Sequence, residues 1–222
     1  MKKQWHCILD SCENIMMELT KKNHLKKKNF SSFTTKEAYQ QLNLQKILLW
    51  QHQVKNVTAS DFFQERMARL QRHFDLKTCE DAKKLLIDAV CEEALEGFDR
   101  IKIWKGSSLE TLTTNGVADY LIAEHRGYLE APFLCVVEAK KDNFEQGLAQ
   151  CLVEMQACQW GNQQVGRSID SLGIVTNGDG WQFYKLTIDN QVYETPFYAI
   201  GNLEVVLGWL KYIFQLCQSN LD

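Results

Sequence analysis

Two apolar stretches, residues 116–123 and 133–137, lie on either side of a turn at 126–132 that ends in Pro132. So short a reversal between two apolar runs forms an antiparallel hairpin. Centred between Tyr128 and Leu129, that hairpin sets Asp119 opposite Glu138, and residues paired across such a ladder share a face. Strand alternation adds Lys140 to the same face and turns Ala139 the other way. Residues 133–137 read Phe-Leu-Cys-Val-Val, apolar at every position, as in a strand covered on both sides. A charge cluster where that strand emerges is expensive as decoration.

The remaining pattern places this hairpin inside a larger sheet. Helical periodicity runs over residues 35–53, with Ala38, Leu42, Leu44, Ile47, Leu48 and Leu49 as its stripe. Ser60 is suited to cap a helix carrying Phe62, Phe63, Met67, Leu70 and Phe74. Its Arg66, Arg69 and Arg72 share a flank, either a solvated face or the border of a nucleic-acid groove. Residues 79–98 are helical again, and Glu93 falls near the middle of their inward stripe. A carboxylate there is either a helix-end group bending back to water or one aimed at the same site as Asp119 and Glu138.

Strands follow at 100–104, 116–123 and 133–138. A helix capped by Asp142 or Asn143 runs to about residue 158, and a strand at 172–176 completes a parallel crossover. Asn177-Gly178-Asp179-Gly180 is a hairpin turn into a strand at 181–188, followed by an extended stretch at 192–200. A capped amphipathic helix from Asn202 to Cys217 closes the chain, its apolar face serving core packing or a homodimer interface. This order gives an α/β domain, a central mixed β-sheet flanked by helices, over residues 79–222, with a partly helical N-terminal extension over 1–78.

The formal charge of −3 and pI near 6.0 provide no global positive field, so nucleic-acid binding would rest on local clusters. One such cluster is Lys21, Lys22, Lys26, Lys27 and Lys28, read as a solvated run or as phosphate contacts. The eight cysteines are scattered and form no Cys-x-x-Cys pair, which removes the main zinc, iron–sulfur and thioredoxin signatures. They read as small buried hydrophobes in a reducing cytoplasm. No secretory segment and no apolar run of membrane-spanning length occurs, so the expectation is a soluble, cytoplasmic protein without a membrane partner.

Asp119 and Glu138 are hard oxygen ligands suited to Mg²⁺ or Mn²⁺, a pairing that serves phosphodiester hydrolysis. Ala139 is expected to add its backbone carbonyl, and Lys140 to orient the attacking water or stabilise developing charge. Singly these residues are unspecific; an ordinary strand-end ion-pair network uses the same types.

With Asp119, the run Glu138-Ala139-Lys140, the upstream Glu93 and the downstream helix bearing Gln150, the chain resembles the PD-(D/E)xK nucleases of the restriction-endonuclease-like fold. The stretches VVEAKKDNFEQGLAQCLVEM and IVTNGDGWQFYKL look most like the nuclease domain of type I restriction subunits. Ala118 stands where the family name has proline, at a position whose side chain does not ligate metal. The resemblance implies a Mg²⁺-dependent nuclease acting on DNA in a restriction or defence setting. It assigns Asp119, Glu138 and Glu93 to the metal, Lys140 to catalysis, and Gln150 to an active-site contact that spacing alone allots equally to Gln146. The alternative is a nuclease-fold module that binds nucleic acid or a protein without cutting.

Overall fold

A computed structural model describes residues 26–140 and 142–222; Cys7, Cys12, Lys21 and Lys22 lie outside them. The strands are β1 (Lys28–Asn29), β2 (Leu48–Leu49), β3 (Ile101–Glu110), β4 (Thr114–Glu124), β5 (Phe133–Ala139), β6 (Ser171–Thr176), β7 (Gly180–Leu186), β8 (Val192–Glu194) and β9 (Tyr198–Ala199). The α-helices are α1 (Thr35–Gln41), α2 (Asp61–His73), α3 (Glu80–Leu95), α4 (Phe144–Gln164) and α5 (Leu203–Ser219). The nine strands of the described residues join one mixed sheet in the order β1-β4-β5-β6-β7-β8-β2, with β3 on β4 and β9 on β7. The α/β architecture expected from the sequence is present.

The hairpin register is also as expected. Tyr120 pairs with Val137, Leu121 with Val136 and Ile122 with Cys135, and a bulge follows at Ala123. Carried one residue outward from Tyr120, that register sets Asp119 opposite Glu138. β5 then runs parallel to β6, Glu138 beside Val175, with α4 as the crossover. Asn143 caps α4 by accepting from the Gln146 N–H at 2.9 Å. At the turn after β6, Gly178 takes a left-handed φ of 83°, and Asn177 Oδ1 accepts from the N–H groups of Asp179 and Gly180.

Two apolar layers cover the sheet. One packs α3 and α5 against it through Ile87, Val90, Ala94, Trp209, Ile213 and Phe214. The other packs α4 through Ala149, Leu152, Val153 and Met155. The apolar face of α5 is core, although Asn202 makes no side-chain cap at its start.

Several expectations need correction. The helix expected over 35–53 stops at Gln41, where Asn43 turns to positive φ and the chain goes on to β2. Its apolar residues divide between buried Ala38 and Leu42 and the strand pair Leu48–Leu49. The strand expected at 100–104 runs on to Glu110, through Gly106 at φ 63°. The extended stretch at 192–200 contains β8 and β9.

The segment read as an extension contributes directly to the sheet and its core. β1 pairs with the start of β4 and β2 with β8, while Phe30, Phe33, Ala38 and Leu42 are buried in the α4 layer. Gln146 Nε2 donates to the carbonyls of Ser31 and Phe33 at 3.0 Å each, tying that segment to α4.

Candidate functional site

Glu138, the carboxylate of β5, is buried, with 1% of its surface exposed. It does not stand where the strand emerges into water, as the apolar run suggested, but under cover. Its Oε1 lies 2.5 Å from the Lys140 ammonium. Its Oε2 is buried and has no hydrogen-bond partner. Burial raises the Glu138 pKa to about 7; Asp119 adds to that rise and Lys140 opposes it.

Asp119 is half-buried and held at both oxygens. Oδ2 accepts from the Ala139 N–H at 2.9 Å and Oδ1 from the Lys84 ammonium at 2.8 Å. Ala139 therefore meets the site through its N–H and buries its methyl group at 1% exposure.

Lys140 bridges the strand to α4, its Nζ donating to Gln150 Oε1 at 3.1 Å. Gln150 in turn donates through Nε2 to Glu154 Oε1 at 3.0 Å, one helical turn on. Gln150 is the glutamine at the site, and Gln146 is the structural one. Burial acts to lower the Lys140 pKa, but Glu138, then Asp119 and Glu80, outweigh it and hold the ammonium above the ordinary lysine range. Gly147 makes room for this side chain: a Cβ there would stand 3.1 Å from Lys140 Cγ and 2.6 Å from Val175 Cγ1.

Glu93 is elsewhere. Its carboxylate accepts from the backbone N–H and the hydroxyl of Ser60, at 2.7 and 2.8 Å, and so braces the start of α2. It lies more than two turns along α3 from Lys84, the residue that reaches Asp119. Glu93 stays part-exposed and held by Ser60, and it does not join the acidic pair.

The helix supplies a different acid. Glu80, in the first turn of α3, lies 3.0 Å from the same Lys84 ammonium that binds Asp119. An acidic residue at a helix start reads in a sequence as a dipole-compensating charge, which concealed it. Glu154 carried a clearer signal, being the lone charge across the apolar residues 147–158. Complete burial, followed by the Glu138 charge, pushes its pKa well above the carboxylate range, and its Oε2 is buried without a partner. Lys83, also buried, lies 3.7 Å from Asp142 and 3.6 Å from Asp179, in the loops that follow β5 and β6.

The fit to a divalent cation rests on Glu138 Oε2. A carboxylate oxygen without a donor, beside a second carboxylate, is the ligand type that Mg²⁺ and Mn²⁺ accept. Among the described residues no group of three or more His, Cys, Asp or Glu side chains forms a metal cage. Two carboxylates suit Mg²⁺, which keeps several waters and takes phosphate oxygens from substrate. Asp119 and Glu138 therefore fit the ion, whereas Glu93 does not.

Of the arginines on α2, Arg66 pairs with Glu92 and Arg69 with Glu65. Among the described residues no helix is long and apolar enough to cross a membrane. No family model matches this chain, and no curated protein matches its sequence.

Proposed function

We propose that the chain is a Mg²⁺- or Mn²⁺-dependent nuclease hydrolysing phosphodiester bonds in DNA, a cytoplasmic enzyme of the restriction-endonuclease-like kind suited to restriction or defence. The observation that carries this reading is Glu138, buried beside Asp119 with one oxygen on Lys140 and the other undonated.

Asp119 and Glu138 would hold the metal. When bound, it would neutralise phosphate charge and lower the pKa of a bound water. The chain's own contribution is positional. The Ala139 N–H fixes the Asp119 carboxylate against β5. Lys140, kept protonated by its acidic neighbours, serves as a donor to the attacking oxygen or to the phosphate oxygens on which charge builds, not as a base. Gln150 fixes the ammonium from the helix side. Burial of Glu138 and Gln150 keeps water from competing for these contacts.

One observation favours the second reading, a non-catalytic nuclease-fold module. Each carboxylate already has its own lysine, Asp119 with Lys84 and Glu138 with Lys140, so the cluster also forms an ion-pair network without a metal.

The separating experiment incubates purified protein with linear, circular and single-stranded DNA in Mg²⁺ or Mn²⁺, beside Lys140→Ala and a chelator control. Cleavage that disappears with both is the expected result. Absence of cleavage by the unmodified protein with metal binding still dependent on Asp119 and Glu138 would point to a missing partner or modified substrate, and absence of metal binding as well would favour the module.

A further inference from the structure

We infer, building on the metal-site reading above, that Lys84 is a displaceable counter-ion of Asp119: a divalent cation enters by expelling this ammonium, and the chain thereby weakens its own metal affinity. The Lys84 Nζ stands 2.8 Å from Asp119 Oδ1 and 3.0 Å from Glu80 Oε1, in contact with an oxygen assigned to the metal.

Contact and charge together call for a displacement. The Lys84 ammonium already occupies Asp119 Oδ1, and a divalent cation brought to that carboxylate would repel it at short range in a partly desolvated setting. One ammonium must draw back from the acidic pair.

Tethering decides which one. Lys140 is held by Glu138 and by buried Gln150, with its stem packed beside Gly147. Lys84 is held by Asp119 and by Glu80, whose side chain is 41% exposed one helical turn away. Lys84 can release Asp119 and keep Glu80, since residues four apart on a helix remain neighbours. The Asp119 carboxylate stays aimed in the meantime, because Ala139 still donates to Oδ2. Displacement thus breaks one contact and leaves the cradle in place.

The test titrates Mn²⁺ alone into the full chain by calorimetry, comparing the unmodified protein with Lys84→Met, Lys84→Gln, Lys84→Arg and Asp119→Asn. Circular dichroism checks folding, and the two neutral variants guard against the loss of either. Removing the competing charge is expected to lower the Mn²⁺ Kd about tenfold or more in Lys84→Met and Lys84→Gln, Lys84→Arg staying near the unmodified value. Tight binding confined to the neutral variants supports the inference equally. Unchanged or weaker binding in folded neutral variants, while the unmodified protein binds and Asp119→Asn does not, overturns the counter-ion role and leaves the metal reading intact. No binding by any of the five proteins overturns both.

Discussion

Asp119 accepts, across two antiparallel strands, a hydrogen bond of 2.9 Å from the backbone N–H of Ala139. A side chain here performs the task of a backbone carbonyl one step beyond the last ladder pair, Tyr120 with Val137. The aspartate is thereby fixed to the strand that carries Glu138. The spacing of the two carboxylates follows from the hairpin and needs no metal to set it.

The first expected outcome concerns pH. Glu138 has an ordinary pKa of 4.5 when unfolded and about 7 when folded, so between those values the folded state binds the extra proton. Stability should fall as pH rises from about 4.5 to 7 and then level off. The raised Glu154 pKa acts in the same direction. At about 1.4 kcal/mol per unit, the Glu138 share is on the order of 2–3 kcal/mol. Urea unfolding at pH 5 and pH 8 should show this decline, a smaller one in Glu138→Gln or Glu154→Gln, and a smaller one again when Mg²⁺ favours the ionised form.

Gly147→Ala should injure the site from beneath. The new methyl group meets Val175 and the stem of Lys140, and overpacking of this kind costs roughly 1–3 kcal/mol. Denaturant midpoints should drop, and cleavage should fall by more than the lost stability accounts for, because Lys140 is the group displaced.

Glu93→Ala should have the opposite profile. It removes the acceptor for two donors of Ser60, a loss of about 1–2 kcal/mol. Mn²⁺ affinity and cleavage by the folded fraction should be unchanged. A large loss of metal binding in this variant would return Glu93 to the acidic set.

Two glutamines on α4 should separate in the same way. Gln146→Ala leaves the carbonyls of Ser31 and Phe33 without their donor and should cost about 1–2 kcal/mol of stability with cleavage intact. Gln150→Ala frees the Lys140 ammonium and should reduce turnover more than substrate affinity. Paired unfolding and kinetic measurements on the two variants decide it.

Much of this was legible in the chain because strands and turns are local. Alternation and one turn fixed Asp119 opposite Glu138, and the Asn-Gly-Asp-Gly turn and the Ser60 cap lie where their residue chemistry puts them. Distances along a helix and between helices were not legible. Glu93 is on the inward stripe of α3, yet it meets Ser60 at the start of α2, and it is Lys84 that reaches Asp119 from the same helix. Periodicity gives the angle of a side chain about the axis, but the height at which the helix crosses the sheet depends on tertiary packing. The early break at Gln41 was hidden for a similar reason, since the apolar residues that follow are divided between the core and the sheet edge.

The stretch from Lys28 to Leu49 starts beside β4, lies along α4 and ends beside β8, so it girdles the body that follows it in sequence. A boundary drawn near residue 78 would cut that girdle. A fragment starting there would lose Phe30, Phe33 and Leu42 from its interior and leave the outer margin of β8 open to strand pairing with other copies. The apparent appendage is thus part of the same sheet and core as the site, and a shortened version of this protein should keep Lys28 onward.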